Sequence, residues 1–87
     1  MTNATLASLV GTASGVVTVL SFMPQAVHAW RTHKTQDLSR GTFIMLVLQS
    51  AGWATYGLLL SQPPIVWTNV CVLVLTLVIL VAKLRHG

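Results

Sequence analysis

Pro24 and Gln25 stand side by side inside a long apolar stretch, where neither is at home. Proline removes one N–H from a helical ladder and clashes with the carbonyl four residues back, here that of Leu20. The freed carbonyl then needs a donor from a side chain, water or a neighbouring helix. Ser21 and Gln25 are close enough in sequence to supply one. The pair is either an irregularity that a membrane helix tolerates or a hinge. Its position favours the hinge: Pro24 lies about seven residues, roughly 10 Å, from Arg31 at the end of the stretch. Bending there would swing that end while the rest stays packed, as a gate does.

Other chemistry-bearing residues fall at helical spacing. Ser14, Thr18, Ser21, Gln25 and His28 are separated by four, three, four and three positions, which keeps them on one face. Their hydroxyls can bond back to their own helix. That explains each singly, but not why they align and end in Gln25 and His28, and a face lining an aqueous or substrate path accounts for both. Catalysis has no comparable footing. The only acid is Asp37, and Cys71 is the only cysteine. No nucleophile–base pair, metal cluster or phosphate loop is present, so no enzyme, cofactor or metal site is expected.

These residues must be positioned by membrane helices. Of 87 residues, 54% are apolar and six are charged, namely Arg31, Lys34, Asp37, Arg40, Lys83 and Arg85. The mean hydropathy is +0.77. A soluble domain of this size needs far more surface charge, so the composition places the chain in a bilayer. A span takes roughly 20 apolar residues, and three are expected, over about residues 5–30, 42–61 and 64–82. They form a single all-α domain over 1–87. The first connection, RTHKTQDLSR, is charged, and the second, SQPP, is a tight turn whose prolines suit the start of a helix.

All five Lys and Arg residues fall in the first loop or the C-terminal tail, which three spans place on one side. The N-terminus is then expected outside and the C-terminus in the cytoplasm, across the cell membrane. The same clustering argues against nucleic acid as a partner. No basic residue precedes Arg31, so a secretory signal is not expected. Trp30 and Trp67 fall near span ends, where indoles anchor at the interface. Trp53 sits about eight residues, roughly 12 Å, from the outer end of its span. An indole N–H at that depth needs a partner.

The second and third spans are also striped. Leu46, Gln49, Trp53, Tyr56 and Leu60 share one face of span 2, beside a stripe of small residues, Ser50, Ala54, Gly57 and Ser61, suited to close packing. Ile44, Val47, Ala51 and Leu58 face lipid or another helix. On span 3, Asn69, Leu73, Thr76 and Leu80 share a face. Asn69 either bonds to another helix or serves a path. Gly11 and Gly15 on span 1 form a small-xxx-small pair for close approach. Three helices are too few to enclose a path, yet each carries a polar face that lipid penalises. A parallel pair around a two-fold axis along the membrane normal would bury those faces.

Ser21-Phe22-x-Pro24-Gln25, followed by Lys34-Thr35 and Ser39, then Trp53-x-x-Tyr56-Gly57 and Asn69, resembles the PQ-loop pattern of the SemiSWEETs, bacterial half-size sugar transporters. The resemblance covers nearly the whole chain. It implies a three-helix bundle in spatial order 1-3-2 and a parallel homodimer of six helices around a central pathway. It implies that Trp53 and Asn69 of both copies bind sugar, that Pro24-Gln25 is a hinge in alternating access, and that Tyr56 is an outer gate. Some members seal that gate with an Arg and an Asp, where this chain has Leu60 and Gln62, so Tyr56 and apolar contacts are expected to hold it. Ser14, Thr18, Ser21, Gln49 and Thr76 are candidate pathway-lining residues. With no Asp or Glu in the spans, transport is expected to be uncoupled. A carrier of another neutral solute or of an amino acid, and an accessory subunit of a larger membrane complex, are the alternatives.

Overall fold

The computed structural model describes residues 2–36 and 38–87, so Asp37, expected in the first loop, lies outside the described residues. Three helices run α1 Asn3–Thr32, α2 Arg40–Leu59 and α3 Pro63–His86. Each is long and apolar enough to cross a membrane.

Local chemistry sets the ends. Thr2 caps α1, its hydroxyl accepting from the Thr5 N–H at 3.1 Å. His33 closes α1 in the left-handed conformation (φ 57°), its N–H donating to Ala29 O. Ser39 caps α2 by accepting from the Thr42 N–H at 3.2 Å. Ser61 turns the chain at φ 54°, and Pro63 and Pro64 open α3, where their missing N–H groups leave no helical bond unmade.

The helices depart from the hydropathy expectation by a few residues. α2 starts earlier and stops at Leu59, because the Ser61 turn and the prolines need the next positions. α3 runs past Ala82 to His86. Hydropathy ends with the apolar side chains, but the backbone ladder continues, and Lys83, Arg85 and His86 suit a helix C-terminus.

α3 packs against both α1 and α2, while among the described residues those two make no close backbone approach to each other. The spatial order is therefore 1-3-2. Connection length agrees: α2 and α3 are neighbours joined by a tight turn, whereas the segment after α1 must step across the end of α3. Thr35, in that segment, is wholly buried, and its carbonyl accepts from Lys83 Nζ at 2.9 Å.

Close fit shapes the seams. A Cβ on Gly15 would collide with Thr68 Oγ1 and lie 3.1 Å from Thr68 Cβ; one on Gly11 would lie 3.3 Å from Pro64 Cβ. On the other side of α3, a Cβ on Gly57 would lie 2.9 Å from Ile65 Cγ2 and 3.0 Å from Val66 Cγ2. Ser50 and Ala54 are buried with Gly57, as their small stripe implies, whereas Ser61 is exposed in the turn. Toward the end that carries the basic residues, Ala26, Phe43 and Ile79 form a buried cluster joining all three helices.

That basic end is also tied by polar contacts. Trp30 Nε1 donates to Val78 O at 2.8 Å, and the Arg85 guanidinium lies 5.5 Å from the Trp30 ring centroid. The His33 and His86 rings stack at 3.9 Å and 6°. Trp30 thus stands at the end of its span as expected, but its N–H joins α1 to α3 instead of facing headgroups.

Candidate transport face

The polar stripe of α1 lies mostly open. Ser14, Ser21, Gln25 and His28 are exposed and Thr18 is half-buried. Thr18 Oγ1 donates to Ser14 O at 2.9 Å and Ser21 Oγ to Val17 O at 2.8 Å. The hydroxyl protons are therefore satisfied within the helix, leaving oxygen lone pairs turned outward as acceptors.

Pro24 is exposed within an unbroken α1. The expected local repair does not occur: Ser21 donates to Val17 O, and among the described residues neither Ser21 nor Gln25 donates to Leu20 O. Ser21 Oγ instead finds the nearest in-register carbonyl four residues back, in the ordinary geometry of a helical serine. Leu20 and Pro24 border an open groove with Met23, Val27, His28, Arg31 and Thr32, so this face is not covered by the protomer itself.

On α2, Trp53 and Tyr56 are each about half exposed, at 50% and 49%. Their rings meet edge to face, 5.3 Å apart at 84°. Gln49 and Gly52 complete the groove beside them. Gln49 Nε2 donates to Ser50 Oγ at 3.1 Å, leaving the amide oxygen free to accept. No sequence signal singles out Gly52, because a glycine in a membrane helix reads as packing.

Asn69 is half-buried on α3, and its Nδ2 donates to Ile65 O at 2.8 Å. It bonds to its own helix, not across to another, and keeps an N–H and the carbonyl oxygen for other partners. It shares a second groove with Ser14, Gly15, Thr18 and Thr68. Thr68 was not distinguished by the sequence; its Oγ1 is buried without a partner against Gly15. The grooves of Trp53 and Asn69 are separate, and one protomer does not enclose both residues in a single cavity.

Thr76 corrects the stripe on α3. It shares a face with Asn69 but is wholly buried, donating to Val72 O at 2.8 Å. The helices close over α3 at the Ala26–Phe43–Ile79 level, so in this conformation Thr76 lines no open path. Leu60 and Gln62, both neutral, are exposed at the opposite end.

Residues 5–83 match the family described as sugar efflux transporters for intercellular exchange. The sugar transporter SemiSWEET of Bradyrhizobium diazoefficiens is 37% identical over 82 residues, covering 94% of this chain and 95% of that protein. The sugar transporter SemiSWEET of Leptospira biflexa is 38% identical over 80 residues, covering 92% of this chain and 94% of that protein. The crystal structure of a bacterial homologue of SWEET transporters superposes with a TM-score of 0.88 at 30% identity, over 94% of this chain and 99% of the other.

Proposed function

Because the chain belongs to the family of sugar efflux transporters for intercellular exchange, we propose that it carries a mono- or disaccharide across the cell membrane by uncoupled, facilitated diffusion. The family is one of sugar transporters, not enzymes, and the three apolar helices make this a membrane protein. In the proposed mechanism two parallel copies enclose one pathway and alternate between openings to either side.

One observation carries the reading. A single protomer leaves Ser14, Ser21, Gln25, Gln49, Trp53 and Tyr56 exposed on helices that lipid must surround. Hydrocarbon solvates such groups poorly, and a second copy with a polyol between them supplies what lipid lacks. In the dimer, Trp53 and Asn69 of both copies face the sugar. An indole face suits the C–H side of a pyranose, and an amide offers donor and acceptor to adjacent hydroxyls. Tyr56 stands toward the outer side as the gate, with Leu60 in place of an ionic lock. Ser14, Thr18, Ser21 and Gln49 line the way.

Pro24 and Gln25 form the hinge. The end of α1 beyond them is joined to α3 through Trp30 and Val78, and the segment that follows is joined through Thr35 and Lys83. Bending at Pro24 therefore either carries the end of α3 along or exchanges these bonds for water. The clustering of the basic residues at one end supports an N-terminus outside and a C-terminus in the cytoplasm.

The test is flux of labelled glucose and sucrose by the purified chain in liposomes. Flux that persists when the proton gradient is collapsed, and that Trp53→Ala and Asn69→Ala each lower at least about tenfold, is the expected result. Strict dependence on the gradient would refute uncoupled transport. Flux untouched by both variants would remove them from the site, and an absence of any sugar flux would favour the accessory-subunit reading.

A further inference from the structure

Three glycines in this bundle meet different surroundings. A side chain at Gly15 would strike Thr68, and one at Gly57 would strike Ile65 and Val66. A Cβ on Gly52 would meet nothing within 4 Å. Glycine weakens a helix interior relative to alanine, because it loses the most backbone freedom on ordering. Close packing offsets that loss at Gly15 and Gly57. Nothing inside the protomer offsets it at Gly52, so what Gly52 accommodates comes from outside.

The groove identifies the chemistry of that visitor. Gly52 lines it with Gln49, Trp53 and Tyr56. A lipid tail or an apolar helix edge seated there would leave an amide oxygen and a phenol hydroxyl without partners. A pyranose has hydroxyls for both and C–H faces for the rings. On the premise of the sugar-transport reading, we infer that Gly52 sets the size of the sugar site: its missing side chain is the space that the sugar ring enters beside Trp53.

The inference makes function and stability move in opposite directions. In Gly52→Ala the helix gains a better former and nothing in the protomer is struck, so the melting temperature in detergent stays equal or rises. Sugar affinity, read from intrinsic Trp fluorescence, and flux in liposomes fall, by about tenfold for one added methyl at a close contact. Gly52→Val weakens both further, and a disaccharide suffers more than a monosaccharide where the wild type carries both. The experiment compares wild type, Gly52→Ala and Gly52→Val for glucose and sucrose, with melting temperature and cross-linked dimer fraction measured alongside. Wild-type affinity in Gly52→Val overturns the assignment. So does a fall in dimer fraction or melting temperature in Gly52→Ala, which would make Gly52 a contact with a second copy. A wild type that carries neither sugar overturns the transport reading itself.

Discussion

The two ends of the bundle are held by different physics. At the end with the SQPP turn, helices meet at glycines, where Gly11 faces Pro64, Gly15 faces Thr68 and Gly57 faces Ile65 and Val66. That fit is steric and has no substitute in lipid or water. At the basic end, the Trp30 indole and the Lys83 ammonium donate to carbonyls of other elements, and His33 stacks on His86. Such contacts trade readily for water at a membrane surface. One end is thus a frame and the other a releasable joint, with Pro24 on the joint side.

The sharpest way to break the comparison is to crowd the frame. Gly57→Val should destabilise the protomer by about 3 kcal/mol or prevent folding, because stiff β-branched neighbours leave no room. Thermal unfolding in detergent measures it, and a variant as stable as wild type would show that the seam opens freely. Pro24→Ala should fold, dimerise and melt no lower, since a ladder bond is restored, yet cycle several-fold more slowly. Wild-type flux would remove the hinge. Trp30→Phe keeps the ring and loses the bond to Val78 O, so it should lower stability by about 1 kcal/mol. It should also leave turnover unchanged or faster, because it loosens the joint; slower turnover would make that bond part of the working cycle. Lys83→Met should have the smallest effect, within about 1 kcal/mol, because the ammonium lies where water competes for it.

Much of the frame is legible in the sequence. The small stripe Ser50, Ala54 and Gly57 and the pair Gly11 and Gly15 are packing features by spacing alone, and they pack. The half-exposed Trp53 and Tyr56 lie together on one face as their three-residue interval requires. The joint was less legible. Nothing in hydropathy links Trp30 to Val78 or Lys83 to Thr35, which lie far apart in the chain; the first pair meets because α3 packs beside α1, and the second because α3 runs one turn beyond its apolar segment. Thr76 shows a second limit. Periodicity assigns it to the face of Asn69, but whether a face is open depends on how near the neighbouring helices come at that level. They converge around Ile79 and leave a groove around Asn69. Gly52 shows a third, because an absent side chain has meaning only once the space around it is known.

The central placement of α3 has a consequence for how the molecule is made. Ribosomes release α1 and α2 first, and among the described residues those two make no close backbone approach to each other. Until the last third of the chain is translated, the nascent protein has two inserted helices without the helix that both pack against. Assembly of the protomer is therefore a late, single event in biogenesis, and a polypeptide interrupted before α3 lacks the central helix of the bundle and should be recognised by membrane quality-control proteases.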